Sequence, residues 1–241
     1  GSTVYFGSLD DNLHAVHAVD NVGLGISAGD LKWSFDTGST GPGGDVRSGP
    51  VVDSSGVIYF GSDANGVVSG GGSVFAIRDD TTTGTQIWRK DTYGNVRSTP
   101  ALSNDETTLY VGDEMAFYAI DTTPGVTRGT DNWGDMTFPT GGASPIQTTV
   151  AVGPNDNIYF GANNRTLYAY QDNGASGTEL GTFQTGSGGT DNFGRCSPVV
   201  STANRVFFAS GDGNAYALDG TDPANWGTAA TPGTALEWVG D

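Results

Sequence analysis

Val4-Tyr5-Phe6-Gly7, Ile58-Tyr59-Phe60-Gly61, Leu109-Tyr110-Val111-Gly112, Ile158-Tyr159-Phe160-Gly161 and Val206-Phe207-Phe208-Ala209 are one phrase written five times. Its aligned aromatic positions stand 54, 51, 49 and 48 residues apart. Each copy is short, β-branched or aromatic, and ends on a small residue, which reads as a buried strand. Self-similarity at a period of about 50 residues, with several short strands in each unit, marks a radial or stacked repeat.

Three other segments keep step with this phrase. One has the form Arg-Ser-x-Pro-Val-Val and occurs at Arg47 to Val52, Arg97 to Leu102, Gln147 to Val152 and Arg195 to Val200. Another alternates apolar residues at Leu13 to Val16, Val74 to Ile77, Phe117 to Ile120, Leu167 to Tyr170 and Ala215 to Leu218. The last carries a tryptophan, as in Leu31-Lys32-Trp33, Gln86-Ile87-Trp88, Asp131-Asn132-Trp133 and Leu236-Glu237-Trp238. The fourth unit has Leu180-Gly181-Thr182-Phe183 there instead. Gly, Asn and Asp separate the segments, and Asp10-Asp11-Asn12, Asn163-Asn164 and Gly211-Asp212-Gly213-Asn214 offer the positive φ that hairpin turns need.

Four antiparallel strands repeated radially predict an all-β fold, a β-propeller of five blades. The expectation is one domain over residues 1–241, with blades near 3–46, 47–96, 97–146, 147–194 and 195–241. Pro50, Pro100 and Pro198 fall in the first strand, which an inner blade edge tolerates because its N–H is not needed. The strand count is one short of five full blades, and the absent piece is the inner strand of blade one. Blade one is therefore expected either to lack that strand or to be closed by the C-terminus. Trp238 is placed in the fourth strand of blade five. The alternative gives that strand to Asn225-Trp226-Gly227 and lets Ala235 to Val239 close blade one.

These units resemble the PQQ-like, quinoprotein-type propeller repeat: Ser-x-Pro-Val-Val, then Tyr-Phe-Gly, then Tyr-Ala-Leu-Asp, then Gly and Trp. Ala76-x-x-Asp79, followed by Gly84 and Trp88, matches the family's tryptophan-docking pattern. The resemblance covers nearly the whole chain and implies the fold. It is unspecific for activity, because the family includes quinoprotein dehydrogenases, outer-membrane assembly scaffolds and many surface proteins. The enzymes use an adjacent cysteine pair and a metal site over the cofactor. Cys196 is the single cysteine here, so neither a cofactor nor a metal is expected.

The charge excludes several partners. With 10 Lys and Arg against 27 Asp and Glu, the net charge is −17, which leaves no basic face for nucleic acid or an anionic membrane surface. No apolar run reaches the length of a membrane span. One cysteine allows no intrachain disulfide and leaves the redox compartment open.

Candidate chemistry gathers at a few repeat positions. Arg47, Arg97, Gln147 and Arg195 share one slot, expected at the mouth of the central channel, with Asp45, Asn95 and Asn192 beside it. Guanidinium forks there could bind an anionic ligand, or could pair with neighbouring carboxylates and hold blades in register. Acidic hairpin tips (Asp10, Asp11, Asp63, Asp113, Glu114, Asp212) lack the spaced loop of a Ca²⁺ site and read as turn residues. Cys196 sits in the slot of Ser48, Ser98 and Thr148, and the two histidines, His14 and His17, both lie in blade one, with His14 expected to pack. A five-bladed glycosidase would need convergent carboxylates; the nearest are Asp45 and Asp53, and Glu106, Glu114, Glu179 and Glu237 are all outside the inner strands. The repeating tryptophans read as core, with Trp226, off the register, expected to be exposed. Specificity is left to the insertions Asn21–Gly29, Gly66–Gly72, Thr122–Thr130, Gly186–Gly194 and Thr221–Thr234.

The sequence therefore predicts a non-catalytic, extracytoplasmic scaffold or interaction domain, whether secreted, periplasmic or on the cell surface. Its partner would be a protein or a glycan, with strand addition at an open blade-one edge as one mode. The competing reading is a lectin-like or glycoside-hydrolysing propeller.

Overall fold

The computed structural model describes residues 2–38, 44–64, 71–126, 128–134, 136–137, 144–186, 193, 196–230, 232–233 and 235–240. Two compact units divide the chain, Gly1–Pro100 and Ala101–Asp241. Among the described residues the only helical pieces are two 3₁₀ turns, Val22–Leu24 and Pro223–Asn225.

The first unit holds two antiparallel sheets. One is β1 (Thr3–Gly7), β2 (Asn12–His17) and β3 (Leu31–Asp36), and the other is β4 (Val51–Val52), β5 (Val57–Ser62), β6 (Ser73–Asp79) and β7 (Gly84–Asp91). The second unit holds three sheets, each paired in simple up-and-down order. They are β8 (Ala101–Leu102) to β9 (Thr108–Gly112), β10 (Ala116–Asp121) and β11 (Met136–Thr137); β12 (Ala151–Val152) to β13 (Asn157–Ala162), β14 (Thr166–Asp172) and β15 (Gly177–Gln184); and β16 (Val199–Val200) to β17 (Arg205–Ala209), β18 (Ala215–Asp219) and β19 (Leu236–Gly240). Within that unit β12 lies beside both β8 and β16.

The inner strands are only two residues long, shorter than the six-residue segments suggest. Where the motif carries proline, pairing starts after it, since proline cannot donate to the ladder. Register between neighbours is kept by hydroxyls instead. The Gly49 N–H donates to Thr99 Oγ1 at 3.0 Å, and the Thr149 N–H donates to Ser197 Oγ at 2.8 Å.

The core fills the spaces between neighbouring sheets. In the first unit Leu13, Ala15 and Trp33 pack against Ile58, Phe60, Phe75 and Ile77. In the second, Tyr110, Phe117 and Trp133 pack against Ile158, Phe160 and Tyr170, and Tyr159, Leu167 and Phe183 against Val206, Phe208 and Tyr216. Phe117 and Phe160 stack with centroids 4.3 Å apart. This packing explains the glycine that ends the recurring phrase. A Cβ on Gly61 would lie 2.1 Å from Val96, and one on Gly161 2.1 Å from Phe193, so a larger residue would push the entry to the next inner strand off its neighbour.

A bulge recurs between the last two strands of four sheets. The register slips beside Ala15, Ala76, Ala169 and Ala217, whose partners are Trp33, Trp88, Gly181 and Trp238. A bulge re-aims the side chain next to it, here the tryptophan position.

Two expectations need correction and one alternative is settled. In the third sheet, Asp131-Asn132-Trp133 makes only an isolated bridge, Ile120 to Asp131, and the ladder strand is β11. The insertion after Asp121 turns back through Thr130 before pairing resumes. Trp226, expected to be exposed, is fully buried. The C-terminal strand β19 pairs with β18, so the Trp238 segment is the fourth strand of the last sheet, and the first sheet has three strands among the described residues.

Candidate functional site: docks, arginine rim and hairpin carboxylates

The tryptophan positions build a repeated dock. In the first unit the Trp33 ring lies 5.8 Å from Tyr5, and three donors converge on Asp79. These are the Tyr5 hydroxyl at 2.7 Å, Trp33 Nε1 at 3.0 Å and Lys32 Nζ at 2.6 Å. Gly84 makes room, since a Cβ there would lie 2.8 Å from the indole. Burial alone would raise the Asp79 carboxyl, but the hydrogen bonds from Lys32, Tyr5, Trp33 and the Thr81 N–H bring it down to about 2. Burial, reinforced by the bond to Asp79 and its charge, pushes the Tyr5 hydroxyl up to about 12.

The second unit repeats the device. Trp133 lies 5.9 Å from Tyr110, and Asp172 accepts from Trp133 Nε1 at 2.9 Å and from the Tyr110 hydroxyl at 2.5 Å. Burial and the Asp172 bond raise the Tyr110 hydroxyl far above its ordinary range. Gly177 again clears the indole, at 2.5 Å from a would-be Cβ.

The next dock is assembled differently. Its register position for tryptophan is Gly181, opposite Ala169. Trp226 fills the slot from outside the strand, lying 6.0 Å from Tyr159, with Nε1 donating to the Asp219 carbonyl at 2.7 Å. A Cβ on Gly181 would lie 2.2 Å from the Pro223 carbonyl oxygen, so the missing side chain is what admits the 3₁₀ turn ahead of Trp226.

The predicted arginine position is brought together in part. Asp63, 8% exposed, accepts from Arg47 Nε at 3.0 Å and from Arg97 Nε and Nη2, both at 3.1 Å. Arg47 also pairs with Asp45. Asn95 accepts the Ala64 N–H at 2.8 Å. Gln147 lies half-buried in the second unit, and Arg195 and Asn192 lie outside the described residues.

The other carboxylates serve their own turns. Asp53 accepts from Ser55, the Val57 N–H and the Tyr59 hydroxyl. Burial opposes ionisation there, and those donors overcome it and hold the carboxyl below its usual range. Asp113 caps the Met115 and Ala116 N–H groups and takes the Tyr118 hydroxyl. Asp212 takes the Tyr216 hydroxyl and the Asn214 and Gly186 N–H groups. His14 lies on Phe6 and bridges Ser34, its cross-strand partner, to Asp10. Cys196 is exposed. Among the described residues no three His, Cys, Asp or Glu side chains cluster as metal ligands.

Docks at even intervals, with tyrosine, tryptophan and the end of a third strand, define a repeat that comparison can name. The pattern of the family described as outer membrane protein assembly factor BamB, built on PQQ-type repeats, matches residues 12–237. The chain belongs to that family. Its fold is a β-propeller of this type. Among solved structures it resembles BamB from Moraxella catarrhalis, with a TM-score of 0.62 at 17% identity, covering 100% of this chain and 61% of that one. It also resembles a protein from Lactobacillus plantarum, with a TM-score of 0.61 at 13% identity, covering 90% of this chain and 62% of that one. The chain thus spans about three fifths of the length of both. None of the curated proteins compared matches the sequence.

Proposed function

We propose that this chain is a non-catalytic, extracytoplasmic propeller that serves as a scaffold for a protein partner. One observation carries the reading: the carboxylates nearest to catalytic use are already occupied. Asp45 and Asp63 neutralise Arg47 and Arg97, and Asp53 closes its own turn. A glycosidase needs two carboxyls about 5–10 Å apart across an open pocket, one of them with a raised pKa so that it can donate a proton. Asp53, Asp79 and Asp212 are held on the opposite side of the ordinary value. A sugar-stacking role loses its best candidate too, because Trp226 is buried in a dock.

The family description, an outer-membrane assembly factor, supports a partner-binding role outside the cytoplasm. In this reading Arg47 and Arg97 in the first unit, Gln147 in the second, and Arg195 are polar contacts for the partner, with the Arg47 and Arg97 side chains 43% and 34% exposed after pairing. No helix among the described residues is long and apolar enough to cross a membrane.

A photo-crosslinking residue placed at Gln147 tests the proposal in cells. The expected result is one discrete protein adduct in the extracytoplasmic fraction, with no turnover in a glycoside panel. Glycoside hydrolysis that disappears in Asp45→Asn or Asp53→Asn protein would overturn it.

A further inference from the structure

Two insertions expected to carry specificity meet in the second unit. Gly186 opens one, and Thr228 and Ala230 belong to the other. The Trp226 dock brings them together: Gln184 bridges Thr228 in parallel, and the Ala229 N–H donates to the Gln184 carbonyl at 2.9 Å. Between them lies a groove of about 180 Å³ lined by Arg165, Gln184, Thr185, Gly186, Thr228 and Ala230.

Arg165 stands out in that lining. Arg47, Arg78, Arg89, Arg97, Arg205 and Lys32 each meet a carboxylate. Arg165 has no ion-pair partner among the described residues, although the chain carries a net charge of −17. Its backbone is also unusual. Arg165 takes φ 68 at a hairpin tip where Asn163 and Asn164, better suited to positive φ, stand just before it. The Thr185 N–H and hydroxyl both donate to the Arg165 carbonyl, at 2.9 and 3.2 Å, and fix the tip to one wall of the groove. A strained residue type held in place by its surroundings is a pointer to function.

We propose that this groove binds a peptide carboxylate, with the Arg165 guanidinium as its bidentate partner. A planar fork with several donors fits a carboxylate better than a neutral group. Among the described residues the lining contains no aromatic ring, which disfavours a sugar and suits a short peptide residue. The protein's negative field gives no long-range attraction to such a ligand, so affinity rests on the local contact and is weakly dependent on salt. The proposal does not depend on the arginine rim or on the identity of any scaffold partner.

Calorimetric and NMR titration of the full chain tests it, using N-acetyl-Ala-Ala as free acid, the same peptide amidated, amidated N-acetyl-Ala-Glu-Ala, and glucuronate. The free-acid peptide, the Glu peptide or both should bind and shift the Gly186 and Thr228 amides, and which of them does so tells a chain terminus from a side chain. The amidated Ala-Ala peptide should bind at least tenfold more weakly. Arg165→Gly should cut the affinity at least tenfold while leaving the thermal midpoint unchanged or raised, because glycine accepts the positive φ. Equal binding of acid and amide, no binding by either carboxylate peptide, or Arg165→Gly protein that binds normally would overturn the site. Tighter binding of glucuronate than of either peptide would overturn the peptide assignment.

Discussion

The dock around Trp133 and the dock around Trp226 do one job with two constructions. Trp133 follows its own sheet's third strand and reaches the Asp172 carboxylate at the end of the next. Trp226 arrives from the insertion after β18, and its indole donates to a backbone carbonyl, that of Asp219. Both rings sit about 6 Å from the tyrosine of the recurring phrase, Tyr110 or Tyr159. The slot is thus defined by its walls and not by the position of the indole in the chain. The difference has a consequence for binding. Trp133 secures the segment that leads into β11 of its own sheet, whereas Trp226 secures a long insertion and thereby sets one wall of the Arg165 groove.

The largest effect expected is from Trp226→Ala. Removing a fully buried indole should cost about 3–5 kcal/mol, read as a lowered urea midpoint. Trp133→Ala, where the ring is 9% exposed, should fall at the lower end of that range, and a reversed order would break the comparison. Gly181→Ala comes next, at about 1–3 kcal/mol, because its Cβ would collide with the Pro223 carbonyl. A neutral result there would mean the 3₁₀ turn does not depend on the missing side chain.

Acid should separate the Trp33 dock from the Trp226 dock as well. Asp79 is held at about 2 in the folded chain against an ordinary 3.8, so its contribution is complete above pH 3.8 and fades as pH falls toward 2. Wild-type protein should lose about 1–2 kcal/mol over that window that Asp79→Asn protein has already lost. The Trp226 dock, with a carbonyl acceptor, has no such dependence of its own. At the other end Tyr5 stabilises the fold below pH 10, and that contribution is lost as pH rises through about 12. The smallest effect is expected at the rim. Arg97→Ala should cost about 0.5–1 kcal/mol in the same denaturation assay, since the side chain is one third exposed and Asp63 keeps Arg47.

The period of the recurring phrase was enough to predict the repeat and the up-and-down order of its strands, because local alternation and turn residues agree with the long-range pattern; it left the C-terminal strand between two places and put the fourth strand of the third sheet at Trp133 instead of β11. The tryptophan pattern was legible for the same reason. What escaped was non-local. Trp226 lies off the register and reads as an exposed residue, yet Gly181 in the slot opposite Ala169 is the trace of its visit. The partners of Arg47 and Arg97 depend on Asp63, 16 and 34 residues away, which no spacing rule selects. Arg165 stands next to two asparagines that explain a turn by themselves, and its lack of an ion pair with any described carboxylate appears only in three dimensions.

Native-state hydrogen exchange on the Trp226→Ala and Trp133→Ala proteins tests the central claim, that a borrowed tryptophan anchors the insertion beside the groove. The Ala229 and Ala235 amides, bonded to Gln184 and Asn225, should lose most of their protection in Trp226→Ala. They should keep it in Trp133→Ala, and the Val96 amide of the first unit should stay protected in both. Ala229 protection that survives in Trp226→Ala would contradict the account.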